Sequence, residues 1–224
     1  MGAVNNRPFL DMKYEAIIFD CDGTLLWTID DLRDATNYAL GLLGCPLKTT
    51  EEILKLVGNG IGNLVMGALP DNQKDLHPKA MEHFATYYEV HFADKTCPYD
   101  GIVETVQKIK EMGIKVAVVS NKQEKYLLPL FDKLFKDVFP VVMGESKYLA
   151  KKPAPDMVDE ALRRLNVDKN KAVYVGDSEV DVRTAFNSDM DLIAVAWGFR
   201  SKENLIQNGA KIIIDTPSEL LDII

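Results

Sequence analysis

Six short runs rich in Val and Ile, at 14–20, 115–120, 140–143, 172–177, 192–196 and 211–214, limit what this chain can fold into more than any other feature. Their length and β-branched content are those of buried strands. Between several of them the apolar spacing becomes helical, with Ile102, Val106 and Ile109 at i, i+4 and i+7 and Val158, Leu162 and Leu165 at the same interval. Strands separated by helices pair in parallel, and the crossover helices cover both faces of the sheet. The expected fold class is therefore α/β, a three-layer α/β/α core with a mostly parallel sheet.

From 26 to 96 the alternation stops and only helical stripes remain. Leu32, Ala35, Ala39 and Leu42 mark one, Ile61, Leu64, Val65 and Ala68 a second, and Met81, Phe84, Ala85 and Tyr88 a third. The expected organisation is a core built from 1–25 and 97–224, with 26–96 as an all-helical inserted domain. An insertion that leaves from the end of a strand hangs over the crevice where open α/β sheets bind ligands, so it is placed to act as a lid. Residues 1–11 are expected to be a disordered extension.

The charge balance narrows the partners. With 26 Lys and Arg against 34 Asp and Glu, the formal charge is −8, which argues against a nucleic-acid footprint and for a small-molecule substrate. No apolar run is long enough to span a bilayer and the first residues lack a signal-peptide core, so no membrane partner and a cytoplasmic location are expected. The 3 cysteines are widely spaced and fit reduced thiols. Cys21 is expected to be a small buried filler. A monomer or a homodimer is equally compatible with the sequence.

The chemistry starts at Asp20-Cys21-Asp22-Gly23-Thr24, directly after Ala16-Ile17-Ile18-Phe19. Residues two apart on an extended chain face the same way, so Asp20 and Asp22 can converge on one small volume. Gly23 lets the backbone pass close to an anion. Alone, Asp-x-Asp-Gly is an ordinary turn composition. Three other segments stand where a ligand crevice needs them: Ser120-Asn121 after a strand, Lys151-Lys152-Pro153-Ala154-Pro155 before a helix, and Gly176-Asp177-Ser178-Glu179-Val180-Asp181 after another strand. Taken singly, these read as a turn, a solvated lysine and a helix cap.

In this order the four segments resemble the four motifs of the haloacid dehalogenase superfamily. The resemblance implies a Rossmann-like core with a helical cap inserted after the first motif. It also implies Asp20 as nucleophile, Asp22 as general acid/base, Ser120 as phosphate ligand, with Gly23 and Asn121 beside it, and Lys152 as charge stabiliser. Mg²⁺ would be held by Asp20, Asp177 and a backbone carbonyl at Asp22, with Asp181 as a second-sphere partner. Asp22 favours phosphoryl chemistry, since a dehalogenase has no use for an acid at that position.

Val57-Gly58-Asn59-Gly60, Ser120-Asn121-Lys122 and Trp197-Gly198-Phe199-Arg200 are similar to segments of phosphoglycolate phosphatases. By this resemblance Gly58, Asn59 and Gly60 form a cap loop over the substrate, with Arg33 or Lys55 facing a substrate carboxylate. Trp27 stands where many relatives carry an acidic residue, which bears on substrate identity. The function expected is Mg²⁺-dependent hydrolysis of a small phosphorylated metabolite, 2-phosphoglycolate first, through an aspartyl-phosphate. The alternatives are a phosphomutase or pyrophosphatase of the same superfamily, and a non-catalytic phospho-acceptor.

Overall fold

The computed structural model describes residues 13–224, so the extension expected at 1–11 lies outside the described residues. Strand β1 (Ala16–Phe19) is buried along its whole length, as an unbroken apolar run requires of a central strand. The chain then forms a short strand β2 (Leu26–Trp27) and four helices, α1 (Ile29–Leu42), α2 (Thr50–Leu54), α3 (Ile61–Ala68) and α4 (His77–His91). It returns through β3 (Cys97–Pro98), which pairs antiparallel with β2. Strand and helix alternate from there: α5 (Ile102–Glu111), β4 (Lys115–Gln123), α6 (Glu124–Leu134), β5 (Val141–Glu145), α7 (Asp156–Leu165), β6 (Ala172–Gly176), α8 (Glu179–Asn187), β7 (Asp191–Val195), α9 (Lys202–Gln207), β8 (Ile213–Ile214) and α10 (Leu220–Ile223).

The main sheet has the order β5-β4-β1-β6-β7-β8, with every neighbouring pair parallel. Connections run outward from β1 in both directions, which makes its C-terminal end the switch point where such sheets open a ligand crevice. Phe19 is in register with Val118 on one side and Val175 on the other, so the chain beyond β1 emerges between β4 and β6. Side chains of β1 alternate between the faces. Ile17 and Phe19 join Val106, Leu127 and Leu220 in one core, while Ile18 joins Val158, Leu162 and Tyr174 in the other. Helices α1, α3 and α4 pack around their own cluster, which includes Leu32, Ala35, Leu64, Val65, Phe84 and Tyr88.

Some boundaries differ from the sequence reading. Strand β4 continues to Gln123, with an irregular register between Val119 and Gln123. The extension crosses Gly144 so closely that a β-carbon there would stand 2.5 Å from the Lys122 carbonyl oxygen. At the other edge β8 is only two residues long and pairs with β7 alone. Leu42, at the end of the first helical stripe, is exposed.

Candidate active site

Asp20 is the first residue beyond β1, and its N–H still donates to the Val175 carbonyl at 2.9 Å, so the strand pairing fixes where its carboxylate emerges. The chain then turns tightly, with Leu25 and Leu26 both donating to the Cys21 carbonyl at 3.0 Å. Cys21 is buried in the core, as expected of a filler. Gly23 has φ 91°, and a β-carbon there would collide with the Asp177 carboxylate, so glycine is what lets the turn lie against that residue. The Gly23 N–H is engaged by the Leu26 carbonyl at 2.9 Å. Gly23 therefore provides space, while its amide is already satisfied within the turn.

Lys152 is 3% exposed, and the solvated reading of a lysine beside proline does not apply. Its ammonium donates to Asp20 Oδ1 at 2.6 Å, Asp181 Oδ1 at 2.8 Å and the Tyr174 hydroxyl oxygen at 3.0 Å. Ser178 caps α8 and Asp181 completes the capping box. Asp181 Oδ2 accepts from the Ser178 N–H at 3.0 Å and the Ser178 hydroxyl at 2.6 Å, which leaves this carboxylate nearly saturated. Asp177 accepts from Thr24 Oγ1 at 3.1 Å and from the Phe199 N–H at 2.7 Å.

Asp20, Asp177 and Asp181 each bring an oxygen within 4.8 Å of the others, and all three are buried. Three carboxylates face one ammonium, so the ionised cluster holds two uncompensated negative charges. Burial, and then the Asp181 charge, raise the Asp20 carboxyl well above the ordinary range even though Lys152 opposes them. The same two causes push Asp177 up to about 7. Burial works against the Lys152 ammonium, but Asp181 and Asp20 outweigh it and hold the lysine charged. A hard divalent cation would balance this all-oxygen set, so the residues present fit Mg²⁺. The Asp22 carboxylate lies outside the cluster and is held by Lys122 Nζ at 2.9 Å.

Ser120 and Asn121 lie in the irregular stretch of β4 between Val119 and Gln123 and are buried. The Asn121 amide donates to the Lys152 carbonyl at 3.0 Å and to the Gly58 carbonyl at 3.1 Å, tying β4 to the helical segment. One cleft is lined by Asp20, Asp22, Ser120, Asn121, Lys122, Lys152 and Asp177 from the core, and by Leu32, Val57, Gly58, Gly60, Ile61 and Leu64 from the helical segment. Asn59 does not line it, and its carbonyl accepts from Lys151 at 3.2 Å.

Arg33 is not brought to the cleft. It pairs with Asp30 at 2.9 Å and with Asp34 at 2.8 Å, and it donates to Thr50. Lys55 lies in a separate depression beside Glu51 and Asn204. Trp27 does not line the cleft either, but packs edge-on against Phe199, which does.

Two charged residues of the cleft, Lys122 and Arg200, had no role assigned from sequence. Lys122 is buried at the end of β4. Arg200 joins Glu179 of the core at 2.8 Å to the carbonyls of Leu54 at 2.6 Å and Val57 at 2.8 Å. The signal for Lys122 was its place one residue after Ser120-Asn121 at a strand end. Arg200 ends Trp197-Gly198-Phe199-Arg200, one of the segments similar to phosphoglycolate phosphatases, but that similarity gave it no role.

This arrangement can bind a phosphoryl group at a cluster with a fixed carboxylate and a fixed ammonium. Residues 17–195 match the family of haloacid dehalogenase-like hydrolases, and the chain belongs to it. It is an enzyme of the phosphatase type, similar to the phosphoglycolate phosphatases. The phosphoglycolate phosphatase of Chromobacterium violaceum is 30% identical over 221 residues, covering 96% of this chain and 98% of that protein. A solved structure from Lactobacillus delbrueckii subsp. bulgaricus, provisionally named a phosphoglycolate phosphatase, superposes with TM-score 0.89 at 38% identity, over 93% of this chain and 97% of that one. CbbY from Rhodobacter sphaeroides, crystallised with phosphate, gives TM-score 0.72 at 26% identity, over 92% and 96% of the two chains. No helix among the described residues is long and apolar enough to cross a membrane.

Proposed function

We propose that this chain is a Mg²⁺-dependent phosphomonoesterase that acts on a small phosphorylated metabolite through an aspartyl-phosphate on Asp20. The observation that carries this reading is Asp20 itself, held by Lys152 at 2.6 Å inside a buried acidic cluster with excess negative charge. The names of the relatives make 2-phosphoglycolate the first substrate to test. Residues 26–96 are read as the cap that covers the leaving group.

Asp20 and Asp177 would hold Mg²⁺ with a backbone carbonyl at Asp22, and Asp181 would orient the set from behind. Bound there, the ion supplies positive charge that offsets the repulsion between a carboxylate and a phosphate dianion. Asp20 attacks phosphorus, and its new O–P bond forms as the bond to the leaving oxygen breaks. Protonated Asp22 gives its proton to that oxygen. In the second step a water oxygen attacks phosphorus, Asp22 takes the proton from the water, and the bond to Asp20 breaks to release phosphate. Lys152 keeps the Asp20 carboxylate in one orientation, while the Ser120 hydroxyl and Asn121 hold phosphoryl oxygens as charge redistributes.

The test is phosphate release from a panel of phosphomonoesters with and without Mg²⁺, using wild type and Asp20→Asn. Release that needs the ion and disappears in the variant is expected. Unchanged turnover in the variant, or in excess chelator, overturns the mechanism.

A further inference from the structure

Lys122 lines the cleft, yet the proposed chemistry gives it no task. Its side chain is 2% exposed, and its ammonium meets Asp22 Oδ1 at 2.9 Å. The ammonium also lies 5.7 Å from the ring centroid of Tyr88 on α4, within reach of the attraction between a cation and a ring face. The backbone beneath it is closely held: the Lys122 N–H donates to Ser120 Oγ at 3.2 Å, and Gly144 leaves no room for a β-carbon beside its carbonyl. Among the described residues, Lys122 is the one side chain that donates to Asp22. Oδ1 is thereby occupied, and Oδ2 is left without a side-chain donor among the described residues.

We infer that Lys122 is a positioning residue that aims Asp22 at the leaving oxygen, with Tyr88 of the helical segment holding the lysine in place. The inference rests on the proposed role of Asp22 as general acid/base. An aspartate beside a glycine turn can adopt several rotamers, and a wrongly turned carboxyl cannot reach the oxygen it must protonate. A buried ammonium on one oxygen selects a single rotamer. Because Tyr88 comes from α4, the selection is complete only when that helix lies against the core. Proton transfer is thus tied to the position of the helical segment, with no contact between Lys122 and the phosphoryl group required. As the P–O bond to the leaving group breaks, the electron pair stays on the leaving oxygen and takes the proton from Asp22 Oδ2.

A residue that acts through the general acid matters only where the leaving group needs a proton. The experiment measures single-turnover release of the alcohol from phenyl phosphate, from 2,4-dinitrophenyl phosphate, whose anion departs unprotonated, and from 2-phosphoglycolate. Lys122→Met should slow release from phenyl phosphate about 10- to 100-fold and from 2,4-dinitrophenyl phosphate less than about threefold, with KM nearly unchanged. Lys122→Gln, which keeps a neutral donor, should show the same pattern at smaller amplitude and serves if the first variant folds poorly. Adding Lys122→Met to Asp22→Asn should produce no further loss on phenyl phosphate.

Equal slowing of both aryl esters overturns the inference, as does a loss that adds to that of Asp22→Asn. A raised KM confined to 2-phosphoglycolate also overturns it, since that result makes Lys122 a ligand of the substrate carboxylate. If Asp22→Asn itself slows both aryl esters equally, the general-acid reading falls, which is a different failure.

Discussion

Lys152→Met replaces the ammonium at the centre of the site with an apolar group of similar length. At 2.6 and 2.8 Å, and with an effective dielectric constant near 20, each contact with Asp20 and Asp181 is an attraction of about 6 kcal/mol. Most of that attraction offsets the desolvation of three charged groups. What remains on removing one partner of a buried pair is about 3–5 kcal/mol of lost stability. The loss should depend on pH in a definite direction. Near pH 8 without metal, carboxylates that have lost their protons would face one another with no counter-charge, and the largest penalty is expected. Near pH 5 protons take the place of the ammonium, beginning with Asp20 and Asp177, whose carboxyls burial already raises, so the penalty should shrink. Urea unfolding of variant and wild type at both pH values, in chelator and then in Mg²⁺, measures all of this. Mg²⁺ should restore more stability to the variant at pH 8 than it adds to wild type. A variant as stable as wild type at pH 8, or a penalty that grows on acidification, would refute this charge balance.

Two further predictions concern the same cluster. Asp177 is pushed up to about 7 from an ordinary value of 3.8, so between those values the folded metal-free protein holds a proton that the unfolded chain has lost. Its contribution is full below the lower value and lost as pH rises to the upper one, whereas Mg²⁺ must displace the proton to bind. Mg²⁺ affinity should therefore fall as pH drops through 7, with proton release detectable by calorimetry in buffers of different ionisation enthalpy; binding without proton release would contradict this. Gly23→Ala should lower Mg²⁺ affinity and turnover at least tenfold, because its β-carbon would strike the Asp177 carboxylate at φ 91°. Gly62→Ala, where a β-carbon meets nothing within 4 Å, should leave both unchanged in the same titrations.

The parallel sheet and the strand ends carrying Asp20, Ser120 and Asp177 could be read from sequence because each depends on local pattern. An apolar run places a strand, and the residues just past its C-terminal end face the crevice. Burial of Lys152 could not be read locally, since it depends on two carboxylates that stand 132 and 29 residues away. Arg33 shows the converse. A cation on a helix near a predicted cleft suggests a substrate contact, but Asp30 and Asp34 lie close enough in sequence and space to hold it. Lys122 and Arg200 escaped assignment for a related reason: Asp22 stands 100 residues from Lys122, beyond the strand that pairs with β4, and the carbonyls of Leu54 and Val57 stand 146 and 143 residues from Arg200. The Asp22 carboxylate pairs with Lys122 instead of joining the acidic cluster, a division that spacing along the chain does not reveal.

The ribbon of β2 and β3 has a consequence for the history of such a chain. Leu26 pairs with Pro98 and Trp27 with Cys97, so four helices leave and return through neighbouring residues. Topologically the whole helical segment is the loop of a β-hairpin. A short turn joining Trp27 to Cys97 would close that hairpin without disturbing the parallel sheet, and a different helical segment would enter at the same two points. The lining that Val57, Gly58, Gly60 and Ile61 give the cleft can then change by exchange of one continuous stretch of sequence, while the strand ends that hold Asp20 and Asp177 and the segment before α7 that holds Lys152 remain as they are.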